Sequence, residues 1–176
     1  MKVVQGSWDG KGALANLAKD EKAQLVLYFG SYEILKNSSI YNKFKDLYPN
    51  AYIAGCSTGG EIFDRQYNED SCSYCVISLD KSSVQGLSKT LTSADDSYAV
   101  GKELATELSK KDKLRAIFIL SEGLQINGSD LVRGVNETVD TSKVVVTGGP
   151  FHPLQDLPAR PSLCDRIKVF KFIVDT

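Results

Sequence analysis

Continuous apolar runs alternate along the chain with stretches in which apolar residues recur at helical spacing. Four of these runs are each short enough for one strand: AQLVLYFGS (23–31), AYIAGCST (51–58), RAIFILSE (115–122) and KVVVTGG (143–149). Runs of this kind are typical of central strands that are covered on both faces. MKVVQGSW at the amino terminus and IKVFKFIVD (167–175) near the carboxyl terminus predict a first and a last strand.

Helices are predicted between these strands. The segments 10–19, 32–47, 95–110 and 127–139 carry apolar residues on one face at a spacing of three to four. Between the second and third helices, SCSYCVISLD and SSVQGLSKTLTS are rich in β-forming residues, and Asp80-Lys81-Ser82 lies where they meet. This arrangement predicts a β-hairpin.

The resulting fold class is α/β, with a mixed β-sheet, or two packed sheets, and helices on the outer faces. There is also a weak internal β-α-β repeat, because LVLYFGS, a helix and AYIAGCSTGG parallel AIFILSE, a helix and KVVVTGG. Each half ends in Thr-Gly-Gly, at residues 58–60 and 147–149. If the halves are equivalent, these two tripeptides are turns at matching ends of two strands.

The composition narrows the functional classes. The chain has 176 residues, the size of about one domain, and a formal net charge of −1. A near-neutral chain without a basic run does not predict nucleic-acid binding, and no apolar run is long enough for a membrane span. MKVVQGSW lacks the apolar segment of a signal peptide, so we expect a cytoplasmic protein.

The stretch Gly55-Cys56-Ser57-Thr58-Gly59 matches G-x-S-x-G, the nucleophile elbow of serine hydrolases. That motif requires a helix directly after the serine, and EIFDRQYNED, which follows Gly60, is a poor helix. The base would have to be His152, the single histidine, which lies in a proline-rich stretch. A serine hydrolase that uses Ser57 is therefore an alternative rather than the main prediction.

The glycines suggest a second interpretation of the same stretch. Glycine allows the backbone to turn sharply and to approach a ligand closely, and α/β sheets bind ligands at the carboxyl ends of their strands. Exposed N–H groups and the hydroxyls of Ser57, Thr58 and Thr147 would then donate to a carboxylate or a similar group. The competing explanation is that both Thr-Gly-Gly segments are only tight turns.

The cysteines do not indicate a metal or redox site. Cys72 and Cys75 form C-x-x-C, but on a strand two residues three apart point to opposite faces. Cys56, Cys164 and His152 do not complete a zinc pattern. We therefore expect structural cysteines, no metal and no cofactor.

Taken together, several blocks resemble the FIST N-terminal domain. They are LVLYFGS, YIAGCSTGGEI, SYCVISLD, IFILSEGLQINGSDLVRGVNE and VVVTGG, and the resemblance covers roughly residues 20–149. It implies an intracellular sensory domain that binds small molecules such as amino acids and acts with a C-terminal FIST domain or a signalling output protein. A subset of the family is described as haem-binding sensors of nitric oxide, for which His152 would be the iron ligand here.

The resemblance also implies motif positions, which are named in this sequence's numbering. They are Gly55, Ser57, Gly59, Gly60 and Glu61, then Gly123, Asn127, Gly128, Leu131 and Gly134, and finally Gly148 and Gly149. Combined with the interpretation of the glycines, the candidate ligand-binding residues are Gly55, Ser57, Thr58, Gly59, Gly60, Glu61, Thr147, Gly148 and Gly149.

The tail departs from the family pattern, since four of the five prolines fall between residues 150 and 161. We predict a sensory domain over residues 1–149 and a proline-rich tail with a final strand over 150–176. The chain is then either a truncation of a longer sensor, with an aberrant tail, or a stand-alone N-terminal domain. The main functional prediction is a non-enzymatic, signal-transducing domain for a small polar ligand; the alternatives are a serine hydrolase and a haem-based gas sensor.

Overall fold

The described residues form ten strands and four α-helices, which divide into two compact units. The computed structural model describes residues 1–14, 17–37, 39–91, 93–110, 113–122, 126–151 and 167–174. Unit one contains the described residues 1–80, and unit two contains 81–151 and 167–174. Predictions about His152, Cys164, Gly123 and the stretch between 152 and 166 lie outside the described residues.

Unit one contains a four-stranded mixed sheet in the order β1-β6-β2-β3. β2 runs parallel to β3, whereas β6 is antiparallel to both β1 and β2. Two short helices connect β2 to β3, and a β4–β5 hairpin connects β3 to β6. The elements are β1 Lys2–Trp8, β2 Leu25–Gly30, α1 Tyr32–Asn37, α2 Ile40–Leu47, β3 Tyr52–Ser57, β4 Glu61–Phe63, β5 Gln66–Asn68 and β6 Cys72–Ser78.

The core of unit one is rich in aromatic residues. Phe44 of α2 is fully buried, and its ring centroid lies 5.6 Å from that of Tyr28 on β2 and 5.4 Å from that of Tyr74 on β6. Val26 lies on the same face of β2 as Tyr28, in accordance with the two-residue period of a strand. Helix α2 thus packs its apolar face against the two central strands.

Unit two contains a second four-stranded mixed sheet, in the order β7-β10-β8-β9. β8 runs parallel to β9, and β10 is antiparallel to both β7 and β8. Its elements are β7 Ser82–Lys89, α3 Ser97–Ser109, β8 Leu114–Glu122, α4 Gly128–Asn136, β9 Val145–Phe151 and β10 Ile167–Val174. A single 3₁₀ turn, Ala94–Asp96, precedes α3.

The described core residues of unit two are aliphatic. Ile117 and Ile119 on β8 are buried beneath Leu108 of α3 and Leu131 of α4, and they belong to one apolar cluster. At the start of α3, Ser93 Oγ accepts a hydrogen bond from the N–H of Asp95. This contact caps the 3₁₀ turn in the way that favours a helix start at this position.

The two units share one topology, which confirms both the α/β class and the internal repeat. In each unit the first strand lies at one edge, the last strand occupies the second position, and a parallel pair completes the sheet. β1, β2, β3 and β6 therefore correspond to β7, β8, β9 and β10. The final strand Ile167–Val174 is an internal strand of the second sheet, paired with β7 on one side and with β8 on the other.

The predicted hairpin between residues 71 and 94 is wrong. Its two strands exist, as β6 and β7, but they lie in different sheets. Both edges of β6 are already occupied by β1 and β2, and β7 pairs with β10 from the far end of the sequence. Pairing between distant segments leaves no trace in the local pattern of apolar residues.

Two helix predictions also need correction. No helix forms within the described part of residues 10–19, because Gly10 and Gly12 have positive φ angles of 83° and 66°. In addition, Asp9 Oδ1 accepts a hydrogen bond from the Lys11 N–H, which closes a local turn. The helix predicted over 32–47 is two helices, interrupted where the sequence reads Asn-Ser-Ser, residues that favour caps over helix interiors.

Within the described part of the chain, no helix combines the length and the apolar character that a membrane crossing would require.

Candidate functional site

Ser57 is the last residue of β3 and pairs with Gly30 of β2. The next N–H, that of Thr58, donates to the carbonyl oxygen of Gly30 at 3.0 Å, which continues the parallel ladder by one bond. The chain then enters the β4–β5 hairpin rather than a helix. The strand–turn–helix geometry of a nucleophile elbow is therefore not formed by residues 55–68, all of which are described.

Glu61 connects the segment between β3 and the β4–β5 hairpin to the rest of unit one. Its carboxylate is buried, with the residue 3 % exposed, and it accepts hydrogen bonds from two hydroxyls. Thr58 Oγ1 donates to Oε1 at 2.7 Å, and Ser71 Oγ donates to Oε2 at 3.1 Å. The Thr58 hydroxyl proton is thus engaged within the molecule, and Glu61 secures the hairpin at the point where it leaves the sheet.

Gly59 and Gly60 pack against the side chain of Tyr67. The Tyr67 hydroxyl donates to the Gly59 carbonyl oxygen at 3.3 Å, and a Cβ atom at Gly60 would lie 2.3 Å from the Tyr67 ring. The absence of a side chain at Gly60 thus makes room for a ring of the same hairpin. In this part of the predicted site, Gly60 is required by packing, whereas a Cβ atom at Gly59 would meet no atom within 4 Å.

An open cleft of about 890 Å³ does exist in unit one, but Gly55–Glu61 do not line it. It lies between the end of β1 and the segment that follows β5, and it has charged groups of both signs. Its lining residues are Ser7, Trp8, Asp9, Lys11, Ala13, Tyr67, Asn68, Glu69, Asp70 and Ser71.

The second predicted turn, Thr147-Gly148-Gly149, is not a turn. These residues lie inside β9 and pair with Phe118, Ile119 and Leu120 of β8. The strand ends two residues later, at Phe151, because β8 itself extends to Glu122 and continues to offer partners. The expectation that the two Thr-Gly-Gly segments occupy matching positions is therefore wrong.

Gly148 corresponds in structure to Gly55, not to Gly59. A Cβ atom at Gly55 would lie 2.4 Å from the carbonyl oxygen of its β2 partner Tyr28, and one at Gly148 would lie 1.9 Å from that of its β8 partner Ile119. Both positions accept only glycine because the neighbouring strand backbone is so close. Gly148 also has a φ angle of +140°, which a side chain disfavours.

Thr147, Gly148 and Gly149 line a cavity of about 550 Å³ in unit two, which we call the α4 cavity. It is formed by the carboxyl-terminal halves of β8 and β9 and by the first two turns of α4. The described lining residues are Ile119, Ser121, Gly128, Ser129, Leu131, Val132, Val146, Thr147, Gly148 and Gly149. This is the edge of an α/β sheet at which ligands usually bind.

The alternation of side chains along β9 decides what each residue offers to the α4 cavity. Val146 packs against the helix-covered core, so Gly148 lies on the same face and the Thr147 side chain points to the opposite face. By this alternation Thr147 lines the cavity with its backbone, and the role of its hydroxyl as a donor stays a prediction.

The start of α4 is held in a fixed position. Asn127 Oδ1 accepts a hydrogen bond from the Asp130 N–H at 3.2 Å and so caps the helix. The Asn127 N–H donates to Ser97 Oγ at 3.0 Å, which connects this end of α4 to the first residue of α3. The Leu131 N–H donates to the Asn127 carbonyl oxygen. Of the first four helical N–H groups, those of Gly128 and Ser129 have no acceptor among the described residues.

Ser121 was not among the predicted site residues, but it is the most deeply placed polar group in the α4 cavity. The residue is 3 % exposed and lies on the same face of β8 as Ile117 and Ile119. A polar residue at the end of a buried strand was a signal in the sequence. Its direction became clear only from the register of β8.

The C-x-x-C pair lies on β6, as expected for structural cysteines. Cys72 is fully buried, whereas Cys75 is partly exposed, so the two thiols do not share an environment. Burial, with a smaller contribution from the Glu61 carboxylate, raises the pKa of Cys72 to about 12, and burial also raises the pKa of Cys75. Thiolates are therefore disfavoured at both positions.

Comparison with families of known proteins identifies a match to one family model. The FIST N domain matches residues 24–151, which is well over half of the chain. A comparison with curated protein sequences gives no match.

Proposed function

The chain belongs to the FIST N domain family of sensory, signal-transduction domains, and on this premise we propose that it senses a small molecule bound in the α4 cavity without transforming it. The observation that carries this proposal is the cavity itself. Its volume of about 550 Å³ lies within the range of small-molecule sites in proteins, about 300–1,000 Å³. It also lies at the sheet edge that binds ligands in other α/β proteins.

The chemistry of the lining supports binding rather than catalysis. The described lining residues are aliphatic side chains, two serines, one threonine and three glycines, and none of them carries a carboxylate, an imidazole, a thiol or an amine. Acid–base catalysis depends on such groups near the ligand. A cavity with fixed donors and apolar walls can hold a molecule without acting on it.

The path of the signal is part of the proposal. α4 contributes Gly128, Ser129, Leu131 and Val132 to the cavity, and its start is bonded to α3 through Asn127 and Ser97. A ligand that orders the first turn of α4 therefore also acts on α3. We propose that a C-terminal FIST domain or a signalling output protein responds to this change.

The test is a thermal-shift screen of amino acids, short carboxylates and related metabolites on the whole chain. Each hit is repeated on Val132→Trp, which places a large ring in the cavity wall at a residue that is 43 % exposed. The matched control is Val145→Trp, since Val145 is 64 % exposed on β9 and does not line the cavity. The proposal expects shifts that Val132→Trp abolishes and Val145→Trp preserves.

Two outcomes would contradict this site. A hit that survives Val132→Trp but disappears in Ser57→Ala would place the ligand at the end of β3 instead. A chemical conversion of the hit, detected by mass spectrometry after incubation with the protein, would contradict the sensory role.

A further inference from the structure

We infer that helix α3 sets the affinity of the α4 cavity, because Ser97 and Gly101 of α3 fix the position of the helix that forms one wall of the cavity. The inference rests on the proposed function of this cavity and concerns how the same site is regulated. Neither residue is among the described lining. Both are positioning residues, which act on a ligand only through α4.

The first contact joins the starts of the two helices. Ser97 is fully buried, and its Oγ accepts a hydrogen bond from the Asn127 N–H at 3.0 Å and donates one to the Ala94 carbonyl oxygen at 2.6 Å. Asn127 caps α4 and directly precedes Gly128 and Ser129, which line the cavity. Loss of the Ser97 hydroxyl would remove the acceptor of the capping residue and so release the start of α4 from α3.

The second contact is between the two helix backbones. A Cβ atom at Gly101 would lie 2.3 Å from the Leu131 carbonyl oxygen, and one at Gly134 would lie 2.2 Å from the Tyr98 carbonyl oxygen. Such distances are sterically forbidden, so α4 would have to move if either glycine carried a side chain. Leu131 is itself a lining residue of the α4 cavity. A movement of α4 at this point therefore changes the shape of the cavity.

The spacing of these contacts is the same on both helices. Ser97 and Gly101 are four residues apart on α3, and their partners Asn127 and Leu131 are four residues apart on α4. Residues at this spacing lie on one face of a helix, so a single face of α3 bears both contacts. Asn127 and Leu131 are also motif positions of the family resemblance, and these contacts give them a structural role.

The end of α4 is fixed to α3 by Tyr98. Its hydroxyl donates to Glu137 Oε2 at 2.6 Å, and the guanidinium carbon of Arg133 lies 5.0 Å from the centroid of its ring. Contacts with α3 thus hold α4 at its start, in its middle and at its end. A displacement of α4 requires either a displacement of α3 or the loss of these contacts, which couples α3 to the α4 cavity.

The affinity for two probes tests the inference. They are leucine, since the family resemblance implies amino acids, and 1-hexanol, whose alkyl chain suits the aliphatic side chains of the lining. In calorimetric titrations of the full chain, Ser97→Ala and Gly101→Ala should each lower the affinity for a bound probe about fivefold or more. Leu108→Ala is the matched control, because Leu108 is fully buried on α3 in the same core and is not a described lining residue. It should lower the free energy of unfolding but keep the affinity within about twofold.

Amide hydrogen exchange, followed by NMR without any probe, measures whether α3 holds α4. In Ser97→Ala the amides of Asn127 and Asp130 should exchange at least about fivefold faster, relative to that of Ile117 in β8, than they do in the wild type. Leu108→Ala should accelerate all three alike, since it lowers the stability of the whole core. Circular dichroism verifies that each variant is folded.

The outcomes separate this inference from the proposed function. If Ser97→Ala and Gly101→Ala lose no more affinity than Leu108→Ala does, the inference is overturned while the proposed site stands. If exchange at the start of α4 is unchanged in Ser97→Ala, Ser97 does not position α4 and the inference is likewise overturned. If neither probe nor any molecule of the thermal-shift screen binds the wild-type chain, the proposed function fails, and the exchange measurement alone decides whether α3 holds α4.

Discussion

The two units share one strand order, but they differ at a pair of corresponding glycines. The space above Gly55 in unit one is filled, whereas the space above Gly148 in unit two is open. Above Gly55, the ring of Tyr28 comes so close that a Cβ atom there would lie 2.5 Å from Tyr28 Cδ2. Above Gly148, the corresponding strand residue is Ile119, and the atoms nearest to such a Cβ atom all belong to its backbone. An aromatic ring closes the first position, and an isoleucine leaves the α4 cavity at the second.

This difference shows how one topology can hold a filled position in one unit and a cavity in the other. The Tyr28 ring also packs against Phe44, so the closed position becomes part of an aromatic core. Among the side chains of unit two that the structure describes, the apolar cluster contains no aromatic ring. Substitutions at Tyr28, Gly148 and Ile119 test this difference between the units, and their expected effects decrease in that order.

Tyr28→Ala should cause the largest loss of stability, about 3–5 kcal/mol in the free energy of unfolding. The change removes the fully buried ring above Gly55 and leaves a cavity next to Phe44. Denaturation by urea, followed by circular dichroism, measures it. The control is Tyr52→Ala on β3, where the residue is 40 % exposed; equal losses for both variants would contradict the role of the ring.

Gly148→Ala should destabilise the protein by about 3 kcal/mol, because it combines an unfavourable φ angle with a backbone clash. The clash is with the Ile119 carbonyl oxygen, 1.9 Å from the ideal Cβ position. Gly149→Ala is the matched control, since a Cβ atom there meets no atom within 4 Å. Its effect on urea denaturation should stay within about 0.5 kcal/mol.

Ile119→Tyr should make unit two resemble unit one. The new ring would occupy the α4 cavity, so the affinity for its ligand should fall at least about tenfold, or about 1.4 kcal/mol, with little change in the far-ultraviolet spectrum. Ile119→Leu, which keeps an aliphatic side chain of the same size, should preserve binding. Retained binding in the tyrosine variant would show that Ile119 does not decide whether the position is open.

The smallest effect concerns two turns, one in each unit, in which an aspartate carboxylate accepts a backbone hydrogen bond. Asp20 precedes β2 in unit one, and Asp140 precedes β9 in unit two. Hydrogen bonds from Lys143 and Ser142 lower the pKa of Asp140 to about 2, and the Lys22 N–H is the largest cause of a lowered pKa at Asp20. A lowered pKa stabilises the fold above the unfolded value of 3.8, and this contribution is lost as the pH falls towards 2. The melting-temperature difference between wild type and Asp140→Asn should therefore shrink across this window. A difference that does not depend on pH would exclude the ionised carboxylate as its cause.

Local patterns of apolar and polar residues were sufficient to predict those strands and helices whose formation depends on their own residues. The strand runs, helices α3 and α4 and the repeat of β-α-β units were all predicted from the sequence, because burial imposes a period of two or of three to four on it. The pattern did not show that β6 and β7 belong to different sheets, since the partner of β7 lies about eighty residues further along the chain.

The candidate site shows the same division. Thr147, Gly148 and Gly149 do line a cavity, but they are strand residues and not the predicted turn that would match Thr58–Gly60. A repeated tripeptide does not show which residues of two neighbouring strands pair with each other. The correspondence of Gly148 with Gly55 therefore became clear only from the pairing of β8 with β9. Whether the domain ends at residue 149, and the roles of Ser57 and His152, stay predictions.

The sequence by itself determined the α/β class, the duplicated strand–helix–strand order and the family, because each of these follows from the order of the apolar runs and short motifs along the chain. Only the tertiary structure decided where a ligand can enter. The α4 cavity depends on the size of the residue opposite one glycine, on the face to which Ser121 points, and on two helix N–H groups that no cap satisfies. These are relations between segments distant in sequence, and packing alone brings them together.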